Sequence, residues 1–285
     1  MTVPINNTFA SCEGGINGTE NKLSHTDFSR ISNIVYEYSG INMQEGKEPL
    51  VQLRLLKRMR NLGISNFSKY IDFIESSSGK EELYRMIDVM TANETSFFRE
   101  PAYFDFIKNE VIPKLTEDKL RVWSAACSSG EEPYTLAIVL NECLTEKILK
   151  DTRILATDLS VRMLNIAKSG IYSEETIMSI TDNLKAKYLS KVSIGEDNYK
   201  VSPILRRMVY FSSINLMKEW PMKGPFDFIM CSNAMIYFDR QTQERLLARF
   251  WDYVKPGGYL FVGDSEGLSK IPNNFHYIRP AVYQK

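Results

Sequence analysis

The segment SAACSSGEEPY at positions 124–134 combines small and acidic residues in a pattern suited to ligand binding. Small side chains let the backbone approach a ligand closely, and the predicted following helix offers its N-terminal N–H groups. That helix opens with Glu131 and Glu132, whose carboxylates would repel a bound pyrophosphate. We therefore expect a ligand with hydroxyls rather than phosphates, such as the ribose of an adenosine. The alternative is an ordinary strand-to-helix turn with an acidic first turn.

Asp158 ends the next predicted strand, 28 residues after Gly130. An acid at this point of a doubly wound sheet commonly accepts hydrogen bonds from ribose hydroxyls. The same carboxylate could instead cap the helix predicted to begin at Leu159. The two roles are compatible, and we predict that Asp158 contributes to ligand binding.

Two further segments place polar side chains beside aromatic ones. CSNAMIYFDRQTQE (231–244) sets Asn233 and Tyr237 just past another predicted strand. TANETSFFREPAYF (91–104) crowds three polar residues around adjacent phenylalanines, and these are Asn93, Thr95 and Arg99. A half-buried tyrosine and a linker anchored by its Phe pair are the ordinary alternatives. The crowding of polar groups favours a functional role.

Helical periodicity dominates the chain from Leu23 to about Met90. Apolar residues recur three and four apart, and Gly40 and Gly63 follow the ends of the first two predicted helices. Four short helices predict a small all-α domain. We expect the first after a cap at Ser24 or Thr26 and before Gly40, the second at about 49–62, the third around 67–74 and the fourth from near Lys80 to Met90.

After Pro113, short apolar runs alternate with longer helical stretches. This alternation predicts an α/β fold, with a doubly wound, mostly parallel sheet covered on both faces. Ligands of such sheets bind beyond the carboxyl ends of the strands, which is where the polar segments above fall. The predicted strands are 120–126, 153–158, 208–213, 226–232 and 258–264, the last preceded by a turn at 256–258.

Composition argues against several classes of function. Lys+Arg and Asp+Glu cancel at 35 each, so no global field recruits nucleic acid or an anionic membrane. No apolar run is long enough for a bilayer, and residues 1–22 lack the basic start and apolar stretch of a signal peptide. We predict a cytoplasmic protein without direct membrane insertion, whose residues 1–22 form a disordered lead-in.

Cysteines and histidines are too few for most metal or histidine-base chemistry. The four cysteines show no CxxC pairing, and only His25 and His276 are present. We therefore predict no metal site.

In order along the chain, the segments NETSFFRE, RVWSAACSSGEEPY, ATDLS, FSSINL, CSNAMIYF and KPGGYLFVGDSE resemble the chemotaxis receptor methyltransferases. The resemblance runs from Leu23 to the C-terminus. It implies a Rossmann-like methyltransferase sheet that uses S-adenosyl-L-methionine and releases S-adenosyl-L-homocysteine. It also implies that the methyl acceptors are specific glutamates on the cytoplasmic helices of a chemoreceptor, and that methylation of these glutamates serves chemotactic adaptation.

The resemblance also implies a division of the chain and a set of site residues. After the lead-in come an all-α receptor-docking domain (23–90), a linker that contributes to the cofactor site (91–100) and the methyltransferase domain (101–285). Roles near the reacting groups fall to Arg99, as a holder of the cofactor or substrate carboxylate, and to Tyr237. The implied cofactor contacts are Asn93, Thr95, Arg99, Glu132, Asp158, Asn215, Leu216, Ser232 and Asn233.

One departure concerns Ser232, where the family usually has an arginine. If the family uses mainly the backbone there, activity survives, whereas loss of a functional arginine would weaken cofactor affinity. A catalytically weak cofactor-sensing or scaffold protein of the same fold is therefore the alternative function. A nucleic-acid base methyltransferase is disfavoured, since the Asn233–Tyr237 spacing is longer than in Asn-x-x-Tyr sites.

The second predicted helix corresponds to the family's receptor-contacting helix. Arg54, Lys57 and Arg58 share a face by their spacing, with Arg60 nearby. A solvated basic face is the alternative, but the resemblance implies a glutamate-bearing bundle as the acceptor, so we predict a docking surface.

An irregular stretch at about 188–207 predicts a small β excursion around the turn-like IGEDN. In the family this region can grip a pentapeptide at the receptor's C-terminus when an extra glycine-bracketed loop is present. Only Gly195 occurs here, so we expect no such tether. No apolar stripe is left unassigned, so we expect a monomer.

Overall fold

A computed structural model describes residues 22–193 and 197–285. Most of the predicted lead-in (residues 1–21) and the first three residues of the IGEDN segment (residues 194–196) lie outside these ranges. None of the helices in the described ranges is long and apolar enough to cross a membrane.

The four N-terminal helices are confirmed within a residue or two of their expected bounds. Helix α1 begins after Ser24, whose hydroxyl accepts from the Asp27 amide, and both α1 and α2 end at left-handed glycines. Their apolar faces form a core of their own, centred on the fully buried Ile31, Leu55 and Tyr70. The helices are α1 (His25–Ser39), α2 (Glu48–Leu62), α3 (Phe67–Glu75) and α4 (Lys80–Met90).

The rest of the described chain alternates strands and helices, as the sequence predicts. The strands are β1 (Leu120–Ala125), β2 (Thr152–Asp158), β3 (Ile171–Ser173), β4 (Leu189–Lys191), β5 (Asn198–Val201), β6 (Val209–Ser213), β7 (Phe226–Cys231), β8 (Val254–Val262), β9 (His276–Arg279) and β10 (Val282–Gln284). The helices are α5 (Pro101–Phe106), α6 (Glu131–Cys143), α7 (Glu146–Lys150), α8 (Val161–Ser169), α9 (Asp182–Tyr188), α10 (Pro203–Arg206) and α11 (Arg240–Tyr253).

The main sheet has seven strands in the order β6-β2-β1-β7-β8-β10-β9. Strands β6, β2, β1, β7 and β8 are parallel, which confirms the mostly parallel α/β fold. The chain builds outward from β1 to β6 and then returns to place β7 on the other side of β1. This reversal opens a crevice at the carboxyl ends of the central strands, where such sheets bind ligands.

Two features at the C-terminal side differ from the sequence prediction. The turn expected at 256–258 lies inside β8, as an irregularity in its pairing with β7, with Gly257 in the left-handed region. Strands β9 and β10 were not predicted; β10 pairs antiparallel with β8, and β9 pairs antiparallel with β10 at the sheet edge. All four residues of β9 are exposed, so no apolar alternation marks it.

A second, antiparallel sheet has the order β3-β5-β4. Strands β4 and β5 fall in the stretch where a β excursion was expected, and β3 precedes that stretch.

The N-terminal helical region, helices α1 to α4, packs against the edge of the crevice. The Tyr36 hydroxyl donates to Asp239 Oδ2 at 2.6 Å, and Asn215 Nδ2 donates to the Tyr38 carbonyl at 2.6 Å. The Asn42 amide donates to the Tyr237 carbonyl at 2.8 Å. The N-terminal helices therefore touch the loops that form the site described next.

Candidate functional site

A cleft that is open to solvent lies beyond the carboxyl ends of β1, β2 and β7. Its volume, including the open part, is about 1060 Å³. All the residues predicted to bind the cofactor line it, together with Tyr237. The structure thus brings together Asn93, Thr95, Arg99, Glu132, Asp158, Asn215, Leu216, Ser232, Asn233 and Tyr237.

Left-handed backbone is concentrated around this cleft. Five of the six non-glycine residues with positive φ in the described ranges belong to its segments, and they are Phe98, Glu100, Ala126, Ser128 and Asn233. Such a conformation costs a non-glycine residue about 1–2 kcal/mol. Strain of this kind persists where the surrounding structure enforces it, and it is typical of functional sites.

The loop after β1 is held close to the next helical layer. A Cβ at Gly130, whose φ is +97°, would lie 2.8 Å from the Cβ of Ala167. Only glycine fits there, so the small residues seen in the sequence serve a close backbone approach.

Asp158 is buried and accepts two backbone hydrogen bonds. Its Oδ2 accepts from the Ser128 amide and its Oδ1 from the Ser160 amide, both at 2.8 Å. Burial raises the pKa of Asp158, although both amides oppose that shift. Helix α8 is capped by the Ser160 hydroxyl and begins at Val161, so the predicted start at Leu159 and the cap by Asp158 are wrong. Asp158 instead joins the loop after β1 to the end of β2.

Glu132 opens onto the cleft but is otherwise surrounded by protein. Its Oε1 accepts from the Ser124 hydroxyl at 2.7 Å. Burial raises the pKa of Glu132 to about 7, opposed by the hydroxyls of Ser124 and Ser232. The Ser232 Oγ is buried and makes no hydrogen bond of good geometry with any described residue. A ligand group that donates and accepts hydrogen bonds would satisfy both side chains.

The neighbouring Glu131 points elsewhere. Its carboxylate is buried and accepts from the Ser129 hydroxyl at 2.9 and 2.7 Å. Of the two acids that open α6, only Glu132 lines the cleft.

The segment 91–100 connects the N-terminal helices to the α/β region, packs against that region and lines the cleft. Phe97 is buried edge-on against Tyr172, with ring centroids 5.0 Å apart. This packing agrees with the alternative that the phenylalanines anchor the linker. The Asn93 carbonyl accepts from the Ser128 hydroxyl at 3.0 Å. Arg99 is exposed, and its Nη1 donates to the Glu94 carbonyl at 2.8 Å. The remaining guanidinium donors of Arg99 make no bonds with the described residues.

Asn215 uses both ends of its amide within the protein. Nδ2 donates to the Tyr38 carbonyl at 2.6 Å, and Oδ1 accepts from the Met217 amide at 2.9 Å. Its side chain therefore shapes the cleft wall and joins it to α1.

Tyr237 ends a short 3₁₀ helix, Met235–Tyr237, in the loop after β7. Its hydroxyl has no hydrogen-bond partner among the described residues, so it is available to a ligand or substrate. The loop is held by Glu266, which sequence reasoning missed: its carboxylate accepts from the amides of Asn233 and Ile236 at 2.9 and 3.0 Å. The only sequence signal was an acid shortly after the last predicted strand.

The four cations of α2 have different environments. Arg58 is paired with the buried Glu82, with Nε–Oε1 at 2.9 Å, and Glu82 also accepts from Tyr70. Arg54 donates to the Met90 carbonyl at 2.8 Å. Lys57 and Arg60 are exposed. Arg54 and Arg58 thus serve the interior of the helical region, and two cations remain for an external partner.

No cluster of three metal-binding side chains occurs in 22–193 or 197–285.

Comparison with known proteins identifies both regions. The family model of the CheR methyltransferase SAM-binding domain matches residues 93–283, and that of the CheR methyltransferase all-alpha domain matches residues 26–91. A chemotaxis protein methyltransferase of Borreliella burgdorferi is 42% identical over 92% of this chain and 95% of its own length. The chemotaxis protein methyltransferase of Escherichia coli K12 is 36% identical over 92% of this chain and 91% of its own length.

Among solved structures, PKMT2 from Rickettsia typhi in complex with AdoHcy aligns at 17% identity with a TM-score of 0.33, covering 51% of this chain and 21% of that one.

Proposed function

Because the chain belongs to the CheR methyltransferase family, we propose that it methylates specific glutamate side chains on the cytoplasmic helices of a chemoreceptor. The products are glutamate γ-methyl esters and S-adenosylhomocysteine. One observation carries the proposal: a cleft at the carboxyl ends of the central strands combines buried acceptors with an exposed arginine and a tyrosine hydroxyl that is unpaired among the described residues.

The cleft suits S-adenosylmethionine by its chemistry. Glu132 and Asp158 are acceptors, and the Ser232 hydroxyl is buried without a partner among the described residues. Two acidic groups match a ligand that carries hydroxyls, an ammonium group and positive sulfur, and they would repel phosphates. We infer that Glu132, Asp158, Ser232 and the backbone after β1 hold the cofactor.

When bound, S-adenosylmethionine supplies a methyl group activated by its positively charged sulfur. The acceptor glutamate is already ionised at neutral pH, since its reference pKa is about 4.3. No general base is required, which agrees with a cleft that contains no histidine. The protein's contribution is alignment of the two reactants and exclusion of water from opposite charges that cancel during transfer.

Arg99 is the candidate for holding a carboxylate at the cleft. Its guanidinium is fixed at one end by the Glu94 carbonyl and keeps its remaining donors for a ligand. A guanidinium matches a carboxylate with two parallel hydrogen bonds. Both the cofactor's methionine end and the substrate glutamate offer such a group.

Tyr237 is the candidate for orienting the acceptor. The residue lines the same cleft, and its hydroxyl has no partner in the described part of the chain. A hydrogen bond to the substrate carboxylate would direct one oxygen toward the methyl group.

The exposed Lys57 and Arg60 on α2 are the cations that we assign to docking. Leu53 lies one turn before Lys57 and is 70% exposed, so the same face offers an apolar contact. A glutamate-bearing helical bundle is complementary to this surface.

The test is transfer of a labelled methyl group from S-adenosylmethionine to membranes that contain chemoreceptor, followed by mild alkali. Label that enters the receptor and leaves as methanol under base supports a carboxyl methyl ester. Label that resists base would assign the methyl group to an amine or thiol. Cofactor binding without transfer to any receptor would contradict the proposal.

A further inference from the structure

Glu266 is a buried carboxylate beside the cleft that does not line it. Its side chain is enclosed between the end of β8 and the loop after β7, and 6% of the residue is exposed. Oε2 accepts from the amides of Gly263 at 2.6 Å and Asn233 at 2.9 Å. Oε1 accepts from the Ile236 amide at 3.0 Å. One side chain therefore holds three backbone amides.

These amides need a partner because the chain leaves the sheet at this point. Strand β7 ends at Cys231, and Asn233 adopts the left-handed conformation with φ of 57°. Within the described part of the chain, the amides of Asn233 and Ile236 therefore have no neighbouring strand to pair with. A buried amide without an acceptor is costly, and an ionised carboxylate accepts several such bonds without offering a competing donor.

The space around this carboxylate has no room for a further side-chain atom. A Cβ at Gly263 would lie 2.9 Å from the Asn233 amide nitrogen and 2.9 Å from Glu266 Oε2. A glycine before Glu266 thus allows the two chain segments to approach closely enough for the hydrogen bonds to form.

Two further hydrogen bonds hold the carbonyl groups of the loop after β7. Gln243 Nε2 donates to the Met235 carbonyl at 2.8 Å, and the Asn42 amide donates to the Tyr237 carbonyl at 2.8 Å. Together with Glu266, these contacts fix the backbone from 233 to 237 through both its amides and its carbonyls, and this backbone carries Asn233 and Tyr237 at the cleft.

We infer that Glu266 is a positioning residue, whose carboxylate sets where Asn233 and Tyr237 stand for the methyl transfer proposed above. The inference rests on that proposed function for its effect on turnover. Its effect on the loop backbone is independent of the reaction.

The test variant is Glu266→Gln, which keeps the size and one acceptor oxygen but turns an NH₂ group toward at least one backbone amide. Deuterium exchange of the peptide covering 232–238 in the ligand-free protein should become about tenfold faster, because one buried amide loses its acceptor. Turnover per cofactor-binding site, counted by calorimetry with S-adenosylhomocysteine, should fall about tenfold. KM for the receptor should stay close to that of the wild type.

Asp264→Asn is the matched control, since it removes the same charge two residues away. Among residues 22–193 and 197–285, the Asp264 carboxylate accepts only a long 3.4 Å contact from the Tyr103 hydroxyl and holds no amide of the loop. Exchange and turnover should match the wild type. If Glu266→Gln does not fold, Gly263→Ala takes its place, because its methyl group would lie 2.9 Å from both the Asn233 amide nitrogen and Glu266 Oε2 and would disturb the hydrogen bond between them.

Three results would overturn the inference. One is unchanged exchange at 232–238 in Glu266→Gln, and another is acceleration of similar size across β1, β7 and β8, which indicates general destabilisation. Equal effects in Asp264→Asn would also contradict it, because a general loss of charge would then suffice. If the wild-type protein transfers no methyl group, the proposed function fails, and the exchange comparison still decides the role of Glu266.

Discussion

Changing pH should change cofactor affinity through Glu132. In the ligand-free protein, burial raises the pKa of this carboxyl to about 7. The cofactor offers hydroxyls and positive charge to the cleft, and both favour the ionised form of an acceptor. Binding should therefore weaken as pH falls through 7, because an increasing fraction of Glu132 must first lose its proton.

The magnitude follows from the titration of a single group. With a pKa of about 7, roughly nine tenths of Glu132 is ionised at pH 8 and roughly one tenth at pH 6. If only the ionised form binds, affinity for the cofactor should be about tenfold weaker at pH 6 than at pH 8. Binding at pH 7 should release about half a proton.

Calorimetry with S-adenosylhomocysteine from pH 6 to pH 8 measures both quantities, since buffers with different heats of ionisation report the released proton. Glu132→Gln is the control and should bind more weakly at pH 8 with little slope. Equal wild-type affinities at pH 6 and pH 8 would refute this reasoning, as would a glutamine variant that keeps the wild-type slope.

The same shift acts on the ligand-free fold with the opposite preference. A carboxyl whose pKa is raised on folding destabilises the native state when it is ionised, so its cost is complete above pH 7 and absent below the ordinary glutamate pKa. Relative to Glu132→Gln, the wild-type free energy of unfolding should therefore rise as pH falls from 8 to 5, which thermal melts at both values would measure.

Three further predictions concern single side chains. Tyr237→Phe removes a hydroxyl that has no partner among the described residues. The value of kcat should therefore fall about tenfold to a hundredfold, while cofactor affinity and melting temperature stay close to those of the wild type. Equal losses of kcat and cofactor affinity would show that Tyr237 does not act in the transfer step alone. Asp158→Ala leaves the Ser128 and Ser160 amides without their acceptor, which should cost about 1–3 kcal/mol of unfolding free energy for each amide. Calorimetry should also show a loss of cofactor affinity. Unchanged affinity would mean that Asp158 does not contribute to the binding site. Lys57→Ala and Arg60→Ala should raise KM for the receptor and leave the stability of the protein unchanged, and an unchanged KM would place docking elsewhere. In contrast, Arg58→Ala breaks the ion pair with the buried Glu82. This variant should lose about 3–5 kcal/mol of unfolding free energy.

The sequence predicts the parts of this fold that depend on local patterns. Helix α1 has a serine cap, a periodic apolar face and a terminal glycine, and each of these acts within a few residues. The buried strands β1 and β7 consist mostly of apolar residues. Asp158 is foreseeable as a cleft residue because the end of a parallel strand has a known relation to the ligand.

What the sequence does not reveal depends on contacts between distant residues. Arg58 resembles its exposed neighbours in spacing, and only the position of Glu82 on α4 makes it internal. The amide of Asn215 is taken up by Tyr38 of α1, a contact across 177 positions. Glu266 acquires its role from the loop after β7, whose amides are 30 and 33 residues earlier. Strand β9 is fully exposed and pairs at the sheet edge, so it lacks an apolar pattern.

The most direct test of the central claim is to locate the transferred methyl group. The purified protein would be incubated with S-adenosylmethionine and a chemoreceptor cytoplasmic fragment, and the digested fragment would be sequenced by mass spectrometry. The account predicts an added methyl group on glutamate side chains of the receptor helices, which disappears after mild alkali and is greatly reduced with Tyr237→Phe. A methyl group on lysine, on another nucleophile or on no receptor residue at all would contradict it.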